Sequence, residues 1–150
     1  MAFLETERLI LRTWMHSDAQ ALAAILNDSL ASANAWIDRA IDEQEDEGFS
    51  IWPVVRKDSG ALIGRCGLHR IDEGEVEVAW AFAHDAPDGL AAEAARAAID
   101  FGKNVLHLRT ICALIAPLDS ASVAVAHELD LHFDRVVRAS KRDALRYATG

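Results

Sequence analysis

The chain has 150 residues, of which 51% are hydrophobic and 26% charged. That is one compact domain over residues 1–150 with one core, and it excludes a disordered chain. The formal net charge of −9, with no block of Lys and Arg, excludes a nucleic-acid surface and fits a cationic or neutral partner. No apolar run reaches the ~20 residues that span a bilayer, and Met1-Ala2-Phe3-Leu4-Glu5 turns charged too early for a signal peptide, so a cytoplasmic setting without membrane partners is expected.

Leu9-Ile10-Leu11-Arg12-Thr13-Trp14 reads as the first strand. Ser17, three residues before Gln20, has the form of a capping box and opens a helix through Leu22, Ala23, Ile25 and Leu26. Asn27-Asp28-Ser29 breaks it. A second helix carries Ala33, Trp36, Ile37, Ala40 and Ile41 at helical spacing. It runs into Asp42-Glu43-Gln44-Glu45-Asp46-Glu47-Gly48, an acidic stretch at the dipole's negative end. Two readings stand there: a solvated, fraying end, or recognition of a basic substrate.

Phe49 to Val55 reads as a strand whose Pro53 suggests an edge or a bulge. Lys57-Asp58-Ser59-Gly60 turns it into Ala61 to His69, where Gly64 and Gly67 suggest a close backbone approach. Ile71-Asp72-Glu73-Gly74 turns again into a half-buried strand, Glu75 to Ala83. A short turn through Pro87 and Gly89 then feeds an Ala-rich helix to Asn104, with Leu90, Ala94, Ala97, Ala98 and Phe101 along one face. A strand feeding a helix leaves backbone N–H groups free to receive an anion such as a phosphate. Leu108 to Ala116 is a strongly apolar strand and completes a βαβ unit. Asp119-Ser120-Ala121-Ser122 opens a short helix, Leu131 to Ala139 is a further strand, and Asp143 to Ala148 pairs beside it.

Cys66 and Cys112 lie in apolar runs as buried free thiols. His16, His69, His84, His107, His127 and His132 form no metal-binding spacing, so no metal is expected. Trp14, Trp36, Trp52 and Trp80 read as core or groove wall.

Several segments, taken in order, resemble the GNAT acetyltransferases, in particular the branch that acetylates ribosomal-protein N-termini. They are Leu4-Glu5-Thr6-Glu7-Arg8-Leu9-Ile10-Leu11-Arg12, Gly60 to Gly67, Gly74-Glu75-Val76-Glu77-Val78-Ala79-Trp80 and Ala91-Ala92-Glu93-Ala94. The resemblance implies an α/β (α+β) fold: a mixed, mostly antiparallel, splayed sheet of about six to seven strands with helices on both faces. It implies acetyl-CoA in the splay and direct transfer of the acetyl group, in a ternary complex, to a small-molecule amine or a peptide N-terminus. A homodimer is compatible with it. Phe82, Ala83 and His84 at the strand end, and Gly89, Leu90, Ala91 and Ala92 at the helix start, are the implied coenzyme-binding residues, with Asp119 and Ser122 across the cleft.

Such chemistry needs a base for the amine's proton. Glu77 matches a carboxylate of the family's strand and is the first candidate; the other reading makes it a solvent-facing residue alternating with Val76 and Val78. Glu75 is the second candidate, and His69 reads as a partly buried structural histidine. Ser122 is the candidate proton donor to the leaving thiolate or, equally, a residue of the helix's first turn; Tyr147 is a weaker donor candidate. The chain departs from the family at the turn Ala86-Pro87-Asp88-Gly89-Leu90-Ala91. There the basic or polar first position is lost, Pro87 has no N–H, and Asp88 and Asp85 bring negative charge to a phosphate site. Asp119 and Asp130 replace an asparagine and a glycine. These departures support an alternative: a GNAT fold kept as a binding or dimerising module without acetyl transfer.

Overall fold

The computed structural model describes residues 2–72 and 74–150, so Glu73 of the expected turn lies outside the described residues. The first half runs β1 (Ala2–Glu5), β2 (Leu9–Arg12), a 3-10 turn (His16–Asp18), α1 (Ala19–Leu26), α2 (Leu30–Glu47), β3 (Ile51–Arg56), β4 (Leu62–Asp72) and β5 (Glu75–Phe82). Then come α3 (Leu90–Asn104), β6 (Ile111–Ile115), α4 (Ser120–Glu128), β7 (His132–Ala139) and β8 (Arg142–Ala148). One open sheet has the order β1-β2-β3-β4-β5-β6-β8-β7, eight strands where about six to seven were expected; β1 is the addition. Every neighbour is antiparallel except β5 and β6, which pair in parallel at only two positions, Val76↔Ile111 and Glu77↔Cys112. Past Glu77 the β6-facing edge of β5 has no ladder partner among the described residues.

Alternation on the strands sends Leu9, Leu11, Trp52, Val54, Cys66, Leu68, Val76 and Val78 into one core with Leu90, Ala94, Ala95 and Ala98 of α3. The small alanines let the helix lie close to the sheet. Shortening a buried residue such as Leu68 to alanine costs about 2–5 kcal/mol. On the opposite face Trp14, Leu22, Ala33, Ile37 and Ala40 form a second cluster under α1 and α2. Gly67 marks the anticipated close approach: a Cβ there would fall 2.1 Å from the Ser50 carbonyl oxygen, which instead accepts from the Leu68 N–H at 3.0 Å.

Three sequence expectations change. Ser17 does not cap a helix: Asp18 stands at the N-cap of α1 without capping it, because its carboxylate accepts from both Arg12 Nη atoms at 2.8 Å and from the Met15 N–H at 2.9 Å. Pro53 is not on an edge. β3 lies between β2 and β4, with an irregularity at Val54/Val55, and the β2 ladder ends at Leu11↔Val54, so no partner meets the nitrogen that lacks a hydrogen. The acidic stretch does not fray but forms the last turns of α2, closed by Gly48 at φ +80°. Its Glu43 and Glu47 reach His69 and Arg70 of β4. Among the described residues no helix is long and apolar enough to cross a membrane, and no group of His, Cys, Asp and Glu converges to hold a metal.

Candidate active site

The first part of the site is the start of α3. Gly89, at φ +87°, is its N-cap and makes no side-chain cap. The first intrahelical bond is Glu93 N–H to the Gly89 oxygen at 3.0 Å, so the helix offers no acceptor to the amides of Leu90, Ala91 and Ala92. The Leu90 and Ala92 side chains are buried in the core, so these residues face a ligand only through their backbone. Ala83 has no such amide to give, since its N–H is bonded to the Ile63 oxygen at 2.8 Å. Phe82 packs its ring over Gly64, and His84, Asp85 and Asp88 are exposed.

The Glu93 carboxylate accepts from the Thr6 hydroxyl at 2.5 Å, the Arg8 N–H at 3.0 Å and Arg8 Nε at 2.7 Å. Burial pushes its pKa up, but the Thr6 and Arg8 hydrogen bonds and the Arg8 charge prevail and hold it below the usual range. The same clamp brings a cation to the turn, for a Cβ on Gly89 would lie 3.5 Å from Arg8 Nη2.

The second part is a slot of about 130 Å³ where β5 and β6 separate, lined by Val78, Ala79, Trp80, Leu114, Asp119 and Ser122 among others. Asp119 N-caps α4, its carboxylate accepting from the Ser122 N–H at 3.1 Å. An aspartate in place of asparagine therefore still serves as a cap. Ser122 lies in the helix's first turn, and its hydroxyl accepts from Trp80 Nε1 at 3.3 Å across the slot. Asp130 adopts the left-handed conformation, φ +59°, that a glycine would take there.

Leu114 is shared with the third part, a cleft of about 570 Å³ on the α2 face of the sheet, which Glu77, Glu75, His69 and Arg146 line. Glu77 is half-buried, and burial pushes its pKa up; nearby His69 pulls it down and Glu43 pushes it further up. Among the described residues nothing hydrogen-bonds its carboxylate. Glu75 is held by Arg146 Nη2 at 2.9 Å, and Arg146 Nη1 by Asp134 at 2.8 Å, so the second candidate base is engaged in an ion pair. His69 lies opposite Glu77 in the β4–β5 register. Its Nδ1 is 2.8 and 3.0 Å from the two Glu43 oxygens. Beyond His69 opens another cleft of about 390 Å³, formed by Trp36, Arg39, Ala40, Glu43, Ser50 and Ile51.

The structure thus places Glu77 in a cleft that shares Leu114 with the slot lined by Asp119 and Ser122, while Gly89 to Ala92 stand apart from both, at the start of α3. Tyr147 stays outside, buried between His127 and Phe133. Sequence reasoning missed the Glu43–His69 pair and the Arg8–Glu93 clamp. The first was detectable in the four-residue spacing of Glu43 and Glu47, which puts both on one helix face. The second spans 85 positions and leaves no local trace.

Residues 8–132 match the acetyltransferase (GNAT) domain family. The YkkB protein of Bacillus subtilis is 29% identical over 90% of this chain and 88% of its own length. A GNAT-family acetyltransferase from Bacillus anthracis superposes with a TM-score of 0.84 at 18% identity, over 98% of this chain and 97% of that one. RimL, a ribosomal-protein alpha-N-acetyltransferase solved in complex with coenzyme A, superposes with a TM-score of 0.83 at 13% identity, over 96% and 94% of the two chains. At these identities the last two likenesses are of fold.

Proposed function

The chain belongs to the GNAT acetyltransferase family and is an acyltransferase, and from that premise we propose that residues 1–150 act as one domain moving an acetyl group from acetyl-CoA to an amine. The observation that supports this reading is the slot where β5 and β6 separate, sharing Leu114 with the cleft that holds the unpaired, half-buried Glu77 carboxylate, with the start of α3 after the same strand. The amides of Leu90, Ala91 and Ala92 suit phosphate oxygens, with Arg8 supplying the positive charge missing from the turn itself. The unpaired β5 edge past Glu77 leaves backbone N–H groups for the oxyanion that forms as the thioester is attacked. An amine attacks only when neutral, and Glu77 is placed to take its proton. Burial that raises the Glu77 pKa makes it a better base than an exposed glutamate. Ser122 is the proton donor to the thiolate, since its oxygen accepts from Trp80 Nε1 and its own hydroxyl hydrogen is left to give.

RimL acts on a protein N-terminus, and a peptide N-terminus or a small amine is the acceptor we propose here. Asp85 and Asp88, exposed beside the phosphate end, weaken coenzyme affinity in this reading without abolishing it.

Calorimetric titration with acetyl-CoA, followed by thiol release with a panel of peptides and small amines, tests it. Micromolar binding with amine-dependent release is expected. Absence of both overturns it in favour of a fold retained for binding alone.

A further inference from the structure

His69 is the one described residue that lines both the cleft holding Glu77 and the cleft beneath α2. Its surroundings fix which nitrogen is free. An ionised carboxylate only accepts hydrogen bonds, so Nδ1, held between the two Glu43 oxygens, carries the hydrogen. Nε2 is left with an accepting lone pair. Glu43 is steadied by the Arg70 N–H at 3.2 Å. Glu47, one helical turn on, binds the Arg70 guanidinium at 2.7 Å. Two contacts a turn apart pin α2 to β4 and set the angle of the ring.

We propose that His69, oriented by Glu43, is a positioning residue that takes the acceptor's proton on from Glu77, so that the amine enters by one cleft and the proton leaves by the other. The proposal rests on reading Glu77 as the base for an amine. The acceptor's N–H bond breaks as an O–H bond forms on Glu77. That O–H bond then breaks as an N–H bond forms at His69 Nε2. The imidazolium is held by Glu43, and its Nε2–H bond breaks as water takes the proton out through the cleft walled by Trp36, Arg39, Ser50 and Ile51, leaving Nδ1–H on Glu43 as before. No electrons change hands, and Glu77 is again a carboxylate for the next acceptor.

The other charges around the ring are already engaged or lie apart from it. Glu47 and Arg70 hold each other, Glu75 is on Arg146, and Arg39 lines the far cleft. His69 and Glu77 are directly opposite on antiparallel strands, where Cβ atoms are about 4.5–5.5 Å apart, so the two side chains are neighbours on one face of the sheet.

The test compares wild type, His69→Gln, Glu43→Gln and His69→Ala, all as the full chain, in thiol release across about pH 5–8 (an assay window of roughly three units around the ordinary histidine value). We expect His69→Gln to lower kcat by about 10- to 100-fold, less than the 10²–10⁴ of a direct base. KM for acetyl-CoA is unchanged, and the acid limb of the pH profile is displaced. Glu43→Gln moves kcat the same way by a smaller factor, and added imidazole restores part of the activity of His69→Ala. A wild type that transfers normally while His69→Gln matches it at every pH overturns the relay and leaves the base reading standing. An inactive wild type overturns both.

Discussion

At the turn before α3 Asp85 and Asp88 are exposed and, among the described residues, join no ion pair. Around the cleft on the α2 face Glu43, Glu47 and Glu75 are each tied to a basic side chain, and of these four glutamates Glu77 is, among the described residues, left without one. The same kind of side chain therefore has opposite consequences in the two places. An exposed carboxylate is solvated by water and costs the fold nothing; it acts only on whatever anion approaches. A half-buried carboxylate without a partner works against the folded state and in favour of a cationic ligand that can supply the missing charge.

Glu77→Gln breaks the comparison most directly. On the proposed chemistry kcat falls by about 10²–10⁴, while acetyl-CoA affinity by calorimetry holds. The stability change has the opposite sign to the activity change. A carboxyl whose pKa is raised by folding adds stability only below its unfolded value, and that is lost as pH rises through the folded value. Glu77→Gln removes the charged form, so it melts above wild type at pH 7 and matches it near pH 4.

Glu93→Ala attacks the clamp that holds the cation at the coenzyme end. We expect a loss of about 1–3 kcal/mol by urea denaturation, carried mainly by the Thr6 and Arg8 amide bonds, since the Arg8 guanidinium is half exposed. Its pH dependence mirrors that of Glu77. The folded pKa of Glu93 lies below its unfolded value, so its stabilisation is present above the unfolded value and disappears as pH falls through the folded one. The variant's deficit relative to wild type shrinks in acid.

Asp85→Asn with Asp88→Asn leaves the fold unchanged and tightens acetyl-CoA binding by about tenfold at low salt, an effect that fades as salt screens it. Equal affinity in the two proteins would show that those carboxylates lie clear of the phosphates. Asp119→Ala, last in size, loses the α4 cap at about 0.5–2 kcal/mol, read as a drop in melting temperature.

The order of elements was legible because it rests on local signals: the alternation of Val76 and Val78, the helical spacing of Leu90, Ala94 and Ala98, and the glycine at position 89. Alternation with Val76 and Val78 also put Glu77 on the face away from α3, but a strand's two faces do not tell a cleft from open solvent, and both readings of Glu77 stayed open in the sequence. What was not legible depended on partners distant in sequence. Ser17 looked like a cap until Arg12 drew Asp18 elsewhere. The acidic end of α2 looked solvated because nothing local showed that β4 would set His69 and Arg70 beneath it. Pro53 suggested an edge or a bulge; the strand is internal, with an irregularity next to the proline at Val54/Val55, and the ladder of β2 stops one residue short of it, a limit set by tertiary register.

The two-residue parallel ladder between β5 and β6 divides the sheet into a five-strand block and a three-strand block of β6, β8 and β7. The second block is joined to the first by that ladder, by the α3 crossover and by packing on the common core. Such a joint sets how cooperatively the molecule opens. Amide exchange in the β7–β8 hairpin should run ahead of that in β3 and β4. A molecule wedged between Val78 and Ala113 would rest on both blocks at once. It would slow exchange in the hairpin far from any atom it touches, and fuse two unfolding units into one.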